Sequence, residues 1–304
     1  MKVIVTGGSG FIGKHLVEEL TAQNHEVVII DKNLDEAQTQ KFKTYNHDIT
    51  QDLSEIFLNE RPDAVMHLAA QTMLRHSLDK PVDDAMSNII GTLQVLEACK
   101  KANVQRLIYT STGGARYGSK VPLPANESQP TFPESPYGIS KHSAEHYVQM
   151  YAHQHPINAT IFCFGNVYGP GDDPKFGRVV TVFIDKFLKG ENPVIFGDGE
   201  QTRDFVYVKD LTEFMAKTMP TPTPSLLYNV SSGKQSSVKE VYDIIKNVRL
   251  EAIKAVHSEA ITGEVRDIVL DITKAKQELG WHAKTSLQEG IRLTVNQTNS
   301  QNSP

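Results

Sequence analysis

Short apolar runs alternate with longer amphipathic stretches along the first half of the chain. Apolar strands are predicted at 2–6, 26–30, 64–68, 106–110 and 159–164, with a short further strand pattern before Asn46. Helix-like segments lie between them, Lys14 to Leu20 and Met86 to Ala102 among them. In the second of these, Ile89, Ile90, Leu93, Val95 and Leu96 cover more than one face, which predicts burial on two sides, part of it against a second subunit. Strands alternating with helices predict a doubly wound α/β fold, a parallel sheet with crossover helices on both faces. After Asn166 the alternation loosens, glycine, proline and charged residues dominate up to Gln201, and helix patterns follow at 178–189, 208–217, 237–247 and 273–279. The shift divides the chain into a sheet domain over 1–166, to which about 200–230 return, and a smaller α/β portion over 167–295. The Asn-, Gln- and Ser-rich stretch 296–304 predicts a disordered tail.

Composition narrows the class. The chain has 304 residues and a net charge of -5, from 31 basic and 36 acidic side chains. Such a balance predicts no basic surface for nucleic acid or an anionic membrane. No apolar run approaches the roughly 18 residues of a membrane span. The two cysteines, Cys99 and Cys163, form no CxxC pair and no metal set, and point to a reduced, cytoplasmic setting. The N-terminus begins with a strand pattern and not with a leader.

Candidate chemistry starts at Thr6-Gly7-Gly8-Ser9-Gly10-Phe11-Ile12-Gly13. A strand, glycines at Gly7, Gly10 and Gly13, and then a helix are what a dinucleotide pyrophosphate needs. One glycine takes a forbidden turn conformation, one lets backbone N–H groups approach phosphate, and one lets helix and strand pack closely. Asp31 ends the second strand about 20 residues on, where an acid holds ribose hydroxyls and disfavours a 2′-phosphate, so NAD is predicted over NADP. A solvated loop acid is the plainer reading. Asp48 falls where it could meet an adenine edge, and Leu68-Ala69-Ala70-Gln71 end a strand with small side chains. Tyr137 and Lys141 stand four apart, on one face if helical, and a fixed cation beside the phenol would favour phenolate. Such a phenol serves as general acid and base near neutral pH.

These motifs add up to a resemblance over nearly the whole chain. TGGSGFIG, HLAAQ, STGGARYG, SPYGISK, FGNVYGPG, GDGEQTRDFVYVKDL, YNVSSG and KAKQELGW resemble the extended short-chain dehydrogenase/reductases, specifically the NAD-dependent epimerase/dehydratase family of nucleotide-sugar enzymes. The resemblance implies a Rossmann domain holding NAD through Gly7, Gly10, Phe11, Ile12, Gly13, Asp31, Asn33, Asp48, Ile49, Leu68, Ala69, Ala70, Gln71, Asn88, Tyr137, Lys141 and Phe164. It implies catalysis by Tyr137, Lys141 and either Thr112 or Ser111, and substrate contacts from Asn166, Arg203 and Arg266. The implied reaction is 4-epimerisation of a nucleotide sugar, of UDP-glucose/UDP-galactose type, by a cytoplasmic homodimer without a metal. Alternatives are UDP-glucuronate 4-epimerisation, dTDP- or UDP-sugar 4,6-dehydration, and NAD binding without catalysis. Dehydratase relatives carry an Asp-Glu pair after the catalytic threonine, where this chain has Gly113-Gly114.

The chain departs from the family pattern at three positions. Gly113 replaces a third hydroxyl. Cys163 replaces an arginine and leaves a basic contact unavailable there. Ile261 stands where relatives have a phosphate-binding arginine, with Arg266 as its stand-in. Ile268 falls near a position where a tyrosine restricts the sugar 2-substituent, which predicts room for UDP-N-acetylhexosamines.

Overall fold

The computed structural model describes residues 1–249, 253–260 and 265–302. Among them run twelve strands: β1 (Lys2–Thr6), β2 (Glu26–Asp31), β3 (Lys43–Asn46), β4 (Ala64–His67), β5 (Arg106–Thr112), β6 (Asn158–Phe164), β7 (Asn166–Tyr168), β8 (Val194–Phe196), β9 (Thr202–Tyr207), β10 (Leu227–Val230), β11 (Gln235–Ser237) and β12 (Val256–Ser258). Seven form one parallel sheet in the order β10-β6-β5-β4-β1-β2-β3. The winding reverses at β1, which pairs with β2 on one side and β4 on the other. Crossovers diverge there to opposite faces and leave a crevice beyond the strand ends.

The two-residue period of the strands builds a core on each face. Val3 and Val5 point into one, with Leu16, Val17 and Leu20 of helix Phe11–Ala22 and Leu211 and Met215 of helix Val208–Thr218. Ile4 and Val28 point into the other, with Val95 and Leu96 of helix Gly91–Lys101 and Ala144 and Val148 of helix Pro136–Gln154. Short helices Leu74–Asp79 and Pro81–Ala85, absent from the sequence pattern, lead into a wide π-type turn, Met86–Ile90, where a single helix is predicted. Gly91 resumes the α-helix close against Ile49, whose Cδ1 would stand 2.6 Å from a Cβ there.

The second portion has its own core, in which helices Val179–Leu188, Val238–Arg249 and Leu287–Asn302 bring together Phe183, Phe187, Tyr242 and Ile291. Helix 208–218 and β10, within the stretch 200–230 expected to return, pack with the sheet domain, and the segment 273–281, expected in this portion, does so too. Helix Thr273–Leu279 packs on β10, and Trp281 enters the first core against Phe214, ring centroids 4.9 Å apart. The Trp281 indole N–H donates to Ser231 O at 2.8 Å, which fixes this return. The tail predicted as disordered from Asn296 is helical through Asn302. Val295 anchors that helix in the second portion's core, the Thr298 hydroxyl bonds back to Thr294 O, and neither glycine nor proline interrupts the run after Gly290.

Candidate active site

A cavity of about 1320 Å³ opens at the C-terminal ends of β1, β4, β5 and β6. Gly7 holds a left-handed φ of +74° where the chain leaves β1, and a Cβ on Gly13 would fall 2.1 Å from Gly7 O. A side chain at Gly13 would push the first helix off the turn, and one at Gly7 would run into Ala69 N, 2.6 Å from its Cβ. Gly10 caps that helix without a side chain, so the N–H groups of Phe11, Ile12 and Gly13, which have no partner within the helix, are left for a ligand. Asp31 is held at the end of β2 by Ser9 N–H at 3.1 Å and Asn33 N–H at 3.0 Å. This cradle fits a dinucleotide. Asn33, Asp48, Ile49, Leu68, Ala69, Ala70, Gln71 and Phe164 line the same cavity, as do Thr112, Tyr137, Lys141 and Asn166.

Helix Pro136–Gln154 starts where it does because Ser135 accepts the Gly138 N–H and Pro136 takes the first turn. Tyr137 and Lys141 share the face toward β5. The Lys141 ammonium lies 4.2 Å from the centroid of the Tyr109 ring and is buried. Burial pushes Lys141 down to about 7. Burial likewise pushes the Tyr137 phenol up to about 12, against the downward pull of a Thr112 hydrogen bond and the Arg178 charge. The spacing rule predicted a phenol lowered by its lysine; desolvation outweighs that effect, and the phenol alone holds its proton.

The structure separates the two candidate hydroxyls. Ser111 Oγ donates to buried Glu145 and is spent there. Thr112 accepts Ala115 N–H and lines the cavity with Tyr137, whose phenol it pulls downward against burial. Cys163 pairs across the sheet with Ser111, its Sγ 3.6 Å from Glu145 Oε1. Beside Cys163, Arg116 pairs with Glu145 from the neighbouring strand's end, and His142 Nδ1 stands 2.9 Å from the same carboxylate. Burial holds His142 down to about 4, so Arg116 carries the compensating charge.

Four residues lie elsewhere than predicted. Asn88 is buried behind the cavity, accepting Gln71 N–H at 2.9 Å and donating to Ser140 Oγ at 3.0 Å, so it positions a lining residue and the Tyr137 helix. The Arg203 Nη1 donates to Thr202 O and Arg266 O, and Arg266 is an exposed partner of Asp198; neither lines the cavity. Ile268 packs with Tyr117, Val121, Ala125 and Leu270 in a small separate core, so its size does not shape the cavity. Ile261 lies outside the described residues. Arg178 lines the cavity and was missed, since a lone arginine before an apolar helix carries no pattern.

A doubly wound parallel sheet whose cavity joins a glycine cradle to a Tyr-x-x-x-Lys helix defines a short-chain dehydrogenase/reductase of the extended type. The profile of the NAD dependent epimerase/dehydratase family matches residues 3–231, and the chain belongs to that family. It is 39% identical over 300 residues to a putative UDP-glucose 4-epimerase of Methanocaldococcus jannaschii, covering 97% of each chain. A UDP-glucose 4-epimerase from Thermotoga maritima, solved with UDP-glucose, superposes with a TM-score of 0.96 at 37% identity over 100% of both chains. The Thermus thermophilus UDP-glucose 4-epimerase in complex with NAD superposes at 0.90 with 35% identity, covering 98% of this chain and 99% of that one.

One buried histidine ties the cradle together. The Thr92 hydroxyl donates to Asn88 O, so its oxygen accepts His67 Nε2–H at 3.1 Å, and His67 Nδ1 accepts the Thr6 hydroxyl at 2.7 Å. Burial holds His67 neutral, down to about 3 from 6.5. A depressed value means that its contribution to stability is complete above pH 6.5 and is lost as pH falls from there toward 3. The loss is at most about 1.4 kcal/mol per pH unit. Denaturant unfolding at pH 7, 6 and 5 therefore shows a shallower pH slope for His67→Gln than for the natural chain; parallel slopes contradict this assignment.

Proposed function

We propose that the chain interconverts UDP-glucose and UDP-galactose at C4, using NAD as a resident cofactor. The observation that carries the reading is the convergence of Thr112, Tyr137 and Lys141 on one cavity with the glycine cradle, beside two residues without side chains, Gly113 and Gly114. A 4,6-dehydratase needs an acid and a base beside the sugar. Gly113 supplies neither, and a Cβ there would stand 2.4 Å from Leu270 Cδ1. UDP-glucuronate is the second substrate to consider, since its 4-epimerisation uses the same residues.

When bound, NAD supplies the acceptor for the C4 hydride and brings a positive ring into the cavity. The proposed residues are Gly7, Gly10 and Gly13 with the N–H groups of Phe11 and Ile12 for its pyrophosphate, and Asp31 for its adenosine ribose. Tyr137 removes the O4 proton as the sugar is oxidised and returns it after the 4-keto sugar has turned over. Thr112, on the cavity wall with Tyr137, holds O4 in line with the phenol. Lys141, desolvated beneath Tyr109, is the charge against which the phenolate forms. Asn166 reaches the sugar nucleotide from beside Thr112, its Oδ1 standing 3.6 Å from where a Cβ at Gly114 would lie. Excluding water keeps the transferred proton on the enzyme.

The protein is further proposed to be a homodimer. Ile139, Tyr147 and Met150 are exposed on helix Pro136–Gln154, beside exposed Val82 and Met86 on the segment packed against it. Such apolar groups on adjoining elements are the mark of a covered face. Sedimentation should give twice the chain mass, reduced to one by charged substitutions at Ile139 and Met150; a monomer in the natural chain contradicts the dimer.

The reaction is tested by incubating the protein with UDP-glucose, UDP-glucuronate, UDP-N-acetylglucosamine and dTDP-glucose and identifying products by NMR. UDP-galactose formation is expected, with a loss of roughly 10²-fold or more in Tyr137→Phe. A 4-keto-6-deoxy product, or undiminished turnover in Tyr137→Phe, overturns the assignment.

A further inference from the structure

The cavity takes its walls from both portions of the chain. The glycine cradle comes from the sheet domain, while Gly171, Phe176, Val179 and Val180 come from the second portion. Their separation has to be held by contacts away from the reacting atoms. His15 makes one of these. It lies on helix Phe11–Ala22 four residues after Phe11, whose ring meets the imidazole edge-on with centroids 5.9 Å apart. Its Nε2 stands 2.8 Å from Pro170 O. A carbonyl only accepts, so Nε2 carries the hydrogen and donates it.

Pro170 is a buried residue just after β7, in a turn that Gly171 continues at a left-handed φ of +80°. A buried backbone carbonyl without a donor costs about as much as a lost hydrogen bond, so the imidazole and the turn hold each other in place. Two residues on, the fully buried side chain of Asp172 accepts the Thr181 hydroxyl at 2.5 Å. Thr181 lies in the first turn of helix Val179–Leu188, which brings Val179 and Val180 to the cavity. A continuous chain of contacts therefore runs from the helix that begins at the cradle, through His15, Pro170 and Asp172, to the wall supplied by the second portion.

We propose that His15 is a positioning residue, a strut that sets the distance between the cofactor cradle and helix Val179–Leu188 and thereby the affinity for the nucleotide sugar. The inference rests on the substrate class proposed above. His15 itself does not line the cavity, so it acts through the turn and through Phe11, which does. A displaced wall weakens its contacts with the bound nucleotide in the ground state and the transition state alike. Loss of such uniform binding raises KM and leaves kcat in place.

The test compares His15→Leu, which fills the space without a donor, with His15→Gln, whose side-chain amide keeps an N–H at the reach of Nε2. KM and kcat for UDP-glucose, bound nicotinamide, and amide hydrogen exchange over residues 169–182 are measured in each and in the natural chain. His15→Leu should raise KM about three- to tenfold, the worth of one hydrogen bond, with kcat and nicotinamide content held within about twofold. Exchange over 169–182 should quicken in the same variant, and His15→Gln should recover most of both changes. An unchanged KM or unchanged exchange in His15→Leu overturns the proposal, and so does an equal loss in the two variants, a fall confined to kcat, or a loss of nicotinamide. If the natural chain turns over no UDP-glucose, the substrate reading fails, and exchange alone then decides whether the strut exists.

Discussion

The chemistry of this chain depends on the parallel pairing of β1 with both β2 and β4. Parallel neighbours on both sides send the crossovers to opposite faces, and the ladder of β1 ends where Gly7 N–H reaches Ile30 O at 2.8 Å. The backbone must turn in a few residues without leaving the sheet. That requirement selects Gly7, whose left-handed φ a side chain would strain, and Gly13, whose missing Cβ lets the helix settle on the turn. The N–H groups freed at the helix start become the proposed anion cradle. The ends of β4, β5 and β6 deliver Ala69, Thr112 and Phe164 to the same crevice. Sheet order, loop conformation and cavity are one consequence of one pairing.

Desolvation is the dominant electrostatic effect around the crevice. It pushes Lys141 and His67 down and Tyr137 up, each toward its neutral form. The i, i+4 placement of Tyr137 and Lys141 on their helix does not overcome it. A phenol that holds its proton in the free cavity becomes a base only as positive charge is gathered around it. Arg178, on the cavity wall, contributes some of that charge. The buried Glu145 carboxyl likewise gathers Arg116, Ser111 and His142 around itself.

How far the sequence could be read follows from what is local. The glycine cradle, Asp31, the small residues after β4 and the Tyr137–Lys141 helix are short patterns whose geometry is set by their own backbone, and all of them line the cavity. Asn88, Arg203, Arg266 and Ile268 depend on how distant segments pack. Each has a composition suited to a site, yet they lie in a buried network, against backbone carbonyls, on the surface and in a small core. The cluster of Cys163, Arg116 and Glu145 was invisible along the chain because only the fold brings the three together. Arg178 was silent for the same reason, its neighbours Phe11 and Asp172 being brought to it by the fold. The return of Trp281 to the first core likewise has no period to announce it.

The account stands on reversible oxidation at C4 with the hydride kept inside the protein. It is tested most directly with UDP-glucose deuterated at C4, turned over in ordinary water and read by NMR. The account predicts UDP-galactose that retains its deuterium at C4. Loss of the label to water, or a product altered at C5 and C6, would contradict it.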